Sequence, residues 1–511
     1  MHDVLVVGAG PVGLFLACEL GLAGCSVLVL EREPEPTTPW RAYPLGMRGL
    51  SAGSVEAFHR RGMLPRLLTA SGGNAAPGTD LDVESAAAED EAPPPRSAGH
   101  FGGMMLDPAD VDVDSLPFRL PGPALEGVMT SLEAVESVLA ERAAKLGVEI
   151  RRGVAVSAVT QDDEGVIAHD GEHEHAARWL VGCDGGRSAV RGLAGFDFVG
   201  TDPMFTGYVM HADSPDAERL RQGFTLTPRG MYLRMPFPGH LAVQDFDGGA
   251  YDRSRPPTRE HLQEVMRRVS GVDVTLDGIR LASTFTDRAM QTTTYRRGRV
   301  LLAGDAAHIH SPLGGQGLNL GIGDAVNLGW KLAATVRGDA PDGLLDTYTA
   351  ERHPVGARVL DWSRAQVAAI APGPHTPALL GVLRDLLGTR DGTTYVHDRL
   401  SGLSIRYDLG EDDPLVGRNA PEFRLREGTR LGDLLQDGRG VVLDFTADHR
   451  LRDSAAGWED RIRYVAGPAR NDLGHGAVLV RPDGVVAWAG DREPDREAFG
   501  RAARRWFGEP V

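Results

Sequence analysis

Short runs of consecutive apolar residues recur along the chain, and each one ends in a turn. The runs cover residues 3–7, 26–30, 178–183 and 300–305. Continuous apolar runs of this length are typical of strands that are covered on both faces, as in a parallel sheet. The pattern therefore predicts a parallel sheet assembled from distant parts of the sequence.

Helical periodicity marks other segments of the chain. Apolar residues three or four apart predict helices over 51–60, 131–146 and 323–337, with further helix to about residue 390. Ser51 or Ser54 is placed to cap the first of these helices. We expect Pro354 and Pro372 to break the last helical stretch.

Alternating polar and apolar residues between 200 and 285 predict an antiparallel sheet, with strands near 231–235 and 240–243. After residue 400 the pattern predicts a separate unit. Its elements are a helix at 431–435, strands at 441–445, 477–480 and 485–488, and a turn at 481–484.

The segment 73–99 has few apolar residues and carries acidic and proline-rich stretches. It predicts a flexible acidic insertion, with a lid over a substrate mouth as the alternative. The whole pattern predicts an α/β fold with an α+β middle domain. The predicted units are a discontinuous first domain (1–72, 100–199 and 286–395), the insertion, a sheet domain (200–285) and a C-terminal domain (400–511).

The composition of the chain argues against several kinds of binding partner. The 511-residue chain has a formal charge of −17, which argues against nucleic acid because no cationic face is available to neutralise phosphates. Cys18, Cys25 and Cys183 form no CxxC pair, so we expect free thiols and no metal site. The first apolar run is too short to span a membrane and has no basic leader. We therefore expect a cytoplasmic protein without membrane contact.

The first apolar run leads into a glycine-rich turn with GxGxxG spacing. The turn consists of Gly8, Ala9, Gly10, Pro11, Val12 and Gly13. The first glycine permits the tight turn, the second lets a pyrophosphate approach the backbone, and the third lets helix and strand pack closely. The second run ends at Glu31, about 20 residues on, where a carboxylate can accept ribose hydroxyls. The segment predicts a dinucleotide site.

A second glycine-rich segment favours a resident flavin over a transient nicotinamide. It follows the strand ending at Asp305, whose carboxylate can accept hydrogen bonds from ribityl or ribose hydroxyls. The loop Gly314, Gly315, Gln316 and Gly317 can bring bare backbone against a flat ring. Leu318 and Asn319 then begin a helix whose dipole would stabilise negative charge on the reduced ring.

Two further features lie near these loops. Asp184 and Gly185 follow the third apolar run, and on their own they are equally consistent with a tight turn capped by Ser188. His308 and His310 flank the second glycine-rich loop, where we expect them to pack or form hydrogen bonds.

On these motifs the chain resembles the single-component flavoprotein aromatic hydroxylases of the para-hydroxybenzoate hydroxylase fold, over nearly its whole length. The tail, at 414–421 and 479–484, resembles the thioredoxin-like domain of the bacterial subgroup that acts on polycyclic aromatic polyketides. The tail lacks CxxC, so we expect it to pack or form an interface rather than perform dithiol chemistry.

The resemblance implies a Rossmann-like FAD domain, with FAD as the cofactor, NADH or NADPH as the reductant, O2 as the oxidant and a polycyclic aromatic substrate. It implies a monomer or homodimer. Glu31 would hold the adenosine ribose beside Arg32, while Arg41 and Arg48 would lie along the flavin and pyrophosphate. The full expected cofactor set is Gly8, Gly10, Pro11, Val12, Gly13, Glu31, Arg32, Arg41, Arg48, Leu132, Val156, Asp184, Gly185, Asp305, Pro312, Gly314, Gly315, Gly317, Leu318 and Asn319.

The chain departs from the family pattern at two positions. Leu132 stands where a glutamine usually touches the flavin chain, and Met290 stands where an arginine is common. Only one GxGxxG is present, so the reductant has no Rossmann site of its own. In the family the flavin instead moves between an outer position for reduction and an inner one for oxygenation.

In the family, an electron-rich phenol attacks a flavin C4a-hydroperoxide, so the protein must exclude water and hold the ring in place. No side-chain nucleophile is required, and the sequence assigns no catalytic base. Tyr232, Arg234 and Gln244 are candidate substrate contacts on the predicted sheet. Met104, Met105, Met231 and Met235 could supply an adaptable apolar wall or ordinary core.

Two other functions remain open on these motifs. The same flavin could insert oxygen beside a ketone in Baeyer–Villiger fashion. Alternatively, the chain could be an uncoupled flavin reductase or a non-catalytic flavin-binding protein.

Overall fold

The computed structural model describes residues 1–72, 97–446 and 448–511, so most of the predicted insertion lies outside the described residues. The strands are β1 (His2–Val7), β2 (Val27–Glu31), β3 (Met47–Leu50), β4 (His100–Phe101), β5 (Met104–Met105), β6 (Val128–Ser131), β7 (Glu149–Arg152), β8 (Ala158–Gln161), β9 (Val166–His169), β10 (Glu174–Gly182), β11 (Phe198–Thr201), β12 (Thr206–Asp213), β13 (Gly223–Thr227), β14 (Gly230–Arg234), β15 (His240–Asp245), β16 (Gly278–Thr286), β17 (Ala289–Thr292), β18 (Arg296–Arg297), β19 (Val300–Leu302), β20 (His308–Ile309), β21 (Gly440–Asp444), β22 (Ile462–Ala466), β23 (Ala477–Val480) and β24 (Val486–Gly490).

The helices are α1 (Pro11–Leu22), α2 (Ala52–His59), α3 (Leu64–Ser71), α4 (Leu132–Lys145), α5 (Ala189–Leu193), α6 (Arg259–Ser270), α7 (Gln316–Arg337), α8 (Thr347–Ile370), α9 (Thr376–Leu387), α10 (Arg390–Ser401), α11 (Leu431–Leu434), α12 (Arg452–Ala455) and α13 (Arg496–Phe507). Short turns of 3-10 helix lie at Pro108–Asp110, Val113–Ser115, Ala217–Arg219 and Gly304–Ala306. No helix in the described residues is long and apolar enough to cross a bilayer.

The four apolar runs of the sequence form neighbouring strands of the largest sheet. The order is β18-β19-β10-β1-β2-β7, and all but β18 run parallel. Strand β9 joins the opposite end of β10 in the antiparallel sense and pairs in turn with β8. Parallel strands are stable when both faces are covered, and every residue of β2 is buried.

Helices α1 and α7 approach each other closely because glycines lie where they cross. A Cβ atom on Gly329 would lie 2.4 Å from the Cβ of Glu19, and one on Gly321 would lie 2.5 Å from a methyl of Val12. A larger residue at either position would push the helices apart. The start of α7 is therefore held against the turn that precedes α1.

The segment 200–285 forms the predicted antiparallel sheet, in the order β13-β14-β15-β12-β16. Helix α6 covers one face, where Tyr208, Val243 and Met266 belong to one apolar core. Because side chains alternate along a strand, the residues between them point to the opposite face. That second face lies against the loop before α7 and against the end of α8.

The C-terminal residues form a four-stranded sheet, β22-β21-β23-β24, packed against α13. The core of this unit is continuous with α7 and α8, because Trp330 and Val355 belong to the same buried cluster as Leu479 and Trp506. This packing agrees with the interface role expected for the tail. Its thioredoxin-like character and the domain boundaries stay predictions.

The predicted strands and the Ser51 cap are confirmed; the Oγ of Ser51 accepts a hydrogen bond from the N–H of Ser54. The predicted break at Pro354 is wrong, because Pro354 lies inside α8. An internal proline costs about 3 kcal/mol, but Tyr348, Arg352 and Val355 are buried around it, and this packing maintains the helix. Helix α7 also begins at Gln316, earlier than residue 323, and helix continues to Ser401. The break before Pro372 is confirmed, since α8 ends at Ile370.

Candidate active site

Three distant loops leave the largest sheet at the same edge. The N–H of Cys183 donates to the carbonyl of Val7 at 2.7 Å, and the N–H of Ala303 donates to the carbonyl of Gly182 at 3.0 Å. The ends of β1, β10 and β19 are thus side by side. The turn before α1, the Asp184 loop and the loop at residue 304 consequently converge, as carboxyl-end loops of parallel strands do in nucleotide-binding folds.

The three glycines of the first turn have different surroundings. Gly8 has a φ of +109°, and a Cβ atom there would lie 2.4 Å from the carbonyl oxygen of Cys183; one on Gly13 would lie 2.0 Å from the carbonyl oxygen of Gly8. A Cβ on Gly10 would have no neighbour within 4 Å. Gly8 and Gly13 therefore serve close packing, whereas Gly10 presents open backbone. It precedes Pro11 at the start of α1, where no side chain caps the helix.

Glu31 lies beside this turn. Its buried carboxylate accepts hydrogen bonds from the N–H of Ala9 at 2.7 Å and from the N–H of Glu33 at 2.9 Å. Arg32 instead projects outward and pairs with Glu33. Val156 packs partly against the main core just after Val154, whose N–H donates to the carbonyl of Glu31. The structure therefore brings Glu31 and Val156 to the same region.

Arg41 and Leu132 lie where α4 begins. The N–H of Leu132 donates to the carbonyl of Gly46, and the guanidinium of Arg41 lies 3.3 Å from the carboxylate of Glu136 on α4. Burial raises the pKa of Glu136 to about 7, although Arg41 and Arg152 oppose the shift. The charge of Arg41 is thus already engaged by a protein carboxylate, which the sequence did not predict.

Arg48 holds its own loop in place. Its guanidinium donates to the carbonyls of Leu45 and Met47 at 2.9 and 2.7 Å. Burial lowers the pKa of Arg48, and the negative charge of Asp305 opposes this shift. These two predicted cofactor residues therefore face the same site from opposite loops.

The carboxylate of Asp184 is occupied within the protein. It accepts hydrogen bonds from the hydroxyl of Ser188 and from the N–H groups of Ala189 and Val190, so it caps α5. Gly185 beside it has a φ of +79° and open space where a Cβ would stand. The tight-turn interpretation thus describes Asp184, and the backbone at Gly185 is the part of this motif that faces open space.

The loop at residue 304 carries an unengaged carboxylate and a second uncapped helix start. The side chain of Asp305 is exposed and makes no hydrogen bond to the described residues. Helix α7 begins after Gly315, which has a φ of +63°, and no side chain caps it. A Cβ on Gly317 would lie 3.8 Å from Asp305 Oδ1 and 3.5 Å from His310 Nε2, which places these three residues together.

Asn319 connects the start of α7 to the strand before α2. Its Nδ2 donates to the carbonyls of Gly49 and Gly315, both at 3.0 Å, and its Oδ1 accepts from the N–H of Ser51 at 2.8 Å. The position of the helix start is therefore fixed by hydrogen bonds within the protein. Pro312 and Gly315 lie on the exposed side of this loop, and Gly314 and Leu318 are half-buried.

The two histidines of this loop differ in their environment. His308 is fully buried, and its Nε2 lies 2.6 Å from Asp324, which confirms the expected hydrogen-bonding role. His310 Nδ1 lies 2.7 Å from the carbonyl of Ser311, so this nitrogen donates; its buried Nε2 has no partner in the described residues. Burial lowers the pKa of His310, which favours the neutral ring.

These features fit a flavin dinucleotide. Two uncapped helix starts suit the pyrophosphate and the electron-rich ring edge, and open backbone at Gly10, Gly185 and Gly315 leaves room for close approach. Residues 1–363 match a family model described as the FAD binding domain, and residues 413–510 match one described as aromatic-ring hydroxylase, C-terminal. The chain belongs to this FAD-binding family.

Several relatives align with this flavoprotein over nearly its whole length. A monooxygenase from Claviceps purpurea is 43% identical over 99% of this chain and 97% of the relative. The 12-dehydrotetracycline 5-monooxygenase/anhydrotetracycline 6-monooxygenase of Streptomyces rimosus is 39% identical over 100% and 99%. The structure of OxyS anhydrotetracycline hydroxylase from Streptomyces rimosus superposes with a TM-score of 0.85 at 36% identity, covering 100% of both chains. The protein is an FAD-dependent monooxygenase of the aromatic hydroxylase class.

The antiparallel sheet of this flavoprotein presents an apolar face to the loop before α7. Leu313, between Pro312 and Gly314, packs in one buried cluster with Phe205, Met231, Val367 and Ile370, and the cluster is completed by Phe224, Leu226, Phe246 and Phe285. Gln244 is paired across the sheet with Met231 and therefore shares this face. A large aromatic surface thus lies directly beside the predicted ring-binding loop.

The other predicted substrate contacts are placed differently. Tyr232 points to the opposite face, in the core under α6, and its hydroxyl accepts from the N–H of Arg221. Arg234, two residues further along the same strand, shares that direction. The sheet therefore places Tyr232 on the face away from the loop.

Of the four methionines, Met231 lines the apolar face and Met104 packs with Phe101 and Ala369. Met105 is 66% exposed, so it does not contribute to an apolar wall, and Met235 belongs to none of these clusters.

The sequence did not identify Gln366 on α8, which is fully buried beside Gly314. The available signal was a polar residue beside Val367 and Ile370 on a largely apolar helix face. A cavity of about 480 Å³ adjoins the predicted flavin loop at Gly314 and Asn319 and extends between α2, α7, α8, α10 and the C-terminal unit. In the part of the chain that the structure describes, no three His, Cys, Asp or Glu side chains are grouped to bind a metal.

Proposed function

We propose that this monooxygenase hydroxylates a polycyclic aromatic phenol or quinone of polyketide type, using FAD, NADH or NADPH, and O2. The observation that carries the proposal is the aromatic face of the antiparallel sheet, which lies against Leu313 in the loop before α7. A planar apolar substrate held there would be next to the predicted flavin ring. The named activities of the tetracycline-tailoring relatives support this substrate class.

In this proposal the first turn and the helix starts hold the cofactor. The open backbone at Gly10 and the N-terminus of α1 would bind the pyrophosphate, and Glu31 would accept from the adenosine ribose with its remaining lone pairs. Asp305 would accept from ribityl hydroxyls. The N-terminus of α7, at Gly317 and Leu318, would stabilise negative charge on the ring. Bound FAD would supply oxygen activation and hydroxyl transfer.

The remaining task of the protein is to orient the substrate and exclude water. Phe224, Met231 and Phe285 on the sheet, with Ile370 on α8, provide a wall without a charged side chain. The ring of His100 contacts that of Phe224 at a tilt, with 4.5 Å between ring centroids, and burial lowers the pKa of His100 to about 4, so it is neutral at pH 7. A dry apolar wall limits loss of the activated oxygen as peroxide.

The test is a substrate-dependent oxygenation assay with the full chain. The purified protein should be yellow and release FAD on denaturation. With NADPH or NADH, O2 and anhydrotetracycline as the probe, we expect faster reductant oxidation and a product heavier by one oxygen atom. A colourless chain that does not take up added FAD would overturn the proposal. Reductant oxidation that never yields an oxygenated product with any phenol offered would identify an uncoupled reductase.

A further inference from the structure

Two buried glutamines border the packed apolar cluster between the antiparallel sheet and the loop before α7, which is where the proposed substrate pocket would form. Gln366 on α8 is fully buried, and Gln244 on β15 is 7% exposed. Each has an amide atom without a hydrogen-bond partner in the described residues, Nε2 in Gln366 and Oε1 in Gln244. Unpaired polar atoms in an apolar interior are costly and uncommon, so a ligand is the natural partner to consider.

The amide of Gln366 has a defined orientation. Its Oε1 accepts a hydrogen bond from the N–H of Gly102 at 2.9 Å, so the other end of the amide must be the donor. That donor, Nε2, faces Gly314; a Cβ atom there would lie only 3.3 Å away. The pocket therefore has an N–H donor aimed at the loop that is predicted to lie along the flavin ring.

Gln244 approaches the same pocket from the sheet. It is paired with Met231 on one side and Gly207 on the other, and its side chain lies on the face that carries Phe246 and Phe285. The surrounding side chains are apolar. A ligand spanning the pocket could thus reach a donor near the loop and an acceptor near the sheet.

We propose that Gln366 and Gln244 are the polar substrate contacts of this enzyme. Gln366 donates to a carbonyl or phenolate oxygen near the oxygenated ring, and Gln244 accepts from a hydroxyl on a more distant ring. The inference rests on the proposed function and makes its substrate class more specific. The ligand is a polycyclic aromatic with a hydrogen-bond acceptor at one edge and a hydroxyl group at another.

The experiment measures binding separately from turnover. Wild type, Gln366→Leu and Gln244→Met are titrated anaerobically, without reductant, with anhydrotetracycline and with 1,8-dihydroxyanthraquinone, and Kd is read from the change in flavin absorbance. We expect each variant to bind at least one probe about tenfold more weakly, which corresponds to about 1.4 kcal/mol. The ratio of oxygenated product to reductant consumed should also fall.

Thermal stability distinguishes this role from a structural one. Gln244→Met removes an unpaired atom without breaking a hydrogen bond, so its melting temperature should stay the same or rise while its affinity falls. Gln291→Leu is the matched buried control. Its amide is paired with Tyr295 and His353, so it should lower the melting temperature and leave Kd unchanged.

Two outcomes would overturn the inference: unchanged Kd and coupling in both pocket variants, or a loss of affinity that only follows a loss of stability. If wild type hydroxylates a probe and the variants behave like wild type, only this inference fails. If wild type retains no flavin or oxygenates nothing, the proposed function fails as well.

Discussion

The buried polar side chains at the two ends of helix α8 differ in how completely they are hydrogen-bonded. Near its start, the carboxylate of Glu351 accepts hydrogen bonds from Lys331, Asn327 and Arg481, at distances of 2.7 to 2.9 Å. Near its end, Gln366 leaves a donor without a partner. The first group ties the C-terminal unit to α7 and α8, and the second faces the proposed substrate pocket. The carboxylate that joins the C-terminal unit to the helices is thus fully paired, whereas the donor of Gln366 is left available to a ligand.

The largest expected effect comes from breaking the paired cluster. Arg481→Met leaves the carboxylates of Glu351 and Asp483 buried without their main partner. Loss of one member of a buried pair costs about 3–5 kcal/mol, and denaturant unfolding should measure this loss. Arg501→Met on the exposed side of α13 is the control, with little change expected. A loss below about 1 kcal/mol for Arg481→Met would show that the cluster is not structural.

Two glycines of the turn before α1 also differ in their surroundings: Gly13 is closely packed by protein atoms, and Gly10 faces open space. Gly13→Ala places a methyl against the carbonyl of Gly8, so we expect a loss of at least about 2 kcal/mol and no retained flavin. Gly10→Ala meets no protein atom, so its apoprotein should melt at the wild-type temperature. Because the methyl would occupy the pyrophosphate path, its FAD affinity should fall at least about tenfold. Equal effects of the two substitutions on apoprotein melting would contradict this distinction.

Glu136 is a buried carboxyl group whose loss of hydration is only partly offset by the charges of Arg41 and Arg152. Its pKa is raised by burial from 4.5 to about 7, so the folded protein retains a proton that the unfolded chain releases. The resulting contribution to stability is complete below pH 4.5 and is lost as the pH rises through about 7. Glu136→Gln should therefore match wild type near pH 4.5 and exceed it at pH 8 by about 3 kcal/mol. Denaturation curves across this pH range check the sign, and a difference independent of pH would refute it.

The smallest effect is expected at Tyr232. Its hydroxyl has one protein partner, the N–H of Arg221, on the face of the sheet away from the loop. Tyr232→Phe should cost about 0.5–1.5 kcal/mol of stability and leave substrate Kd and coupling unchanged. A clear rise in Kd would return Tyr232 to the substrate site.

The sequence predicted the parts of the fold whose signals are local. The run ending at Val7, the glycine spacing and the acid at Glu31 identified a nucleotide-binding turn because each has a direct physical role there. The apolar runs at 178–183 and 300–305 likewise identified strands of the same sheet: β10 pairs with β1, and β19 pairs with β10. Alternation identified the antiparallel sheet but not which side faces the loop, so Tyr232 and Gln244 could not be separated in advance.

The unpredicted features depend on contacts between distant residues. Glu351 and Arg481 are 130 positions apart, and neither local sequence indicates that the two side chains form an ion pair. Pro354 was expected to end a helix because local propensity does not include the burial of its neighbours. The engagement of Arg41 by Glu136 also arises only when separate segments meet.

One carboxylate connects the cofactor side of the molecule with its tail. Asp324 accepts from the N–H of Gly304, lies 2.6 Å from His308 and accepts from Arg352, which in turn donates to the hydroxyl of Tyr407. An enzyme shortened before residue 407 would lack Tyr407, so the guanidinium of Arg352 would lose a hydrogen-bond partner. Arg352 is bonded to Asp324, which holds the loop at Gly304. An enzyme that lacks its last hundred residues should therefore lose bound FAD as well as stability.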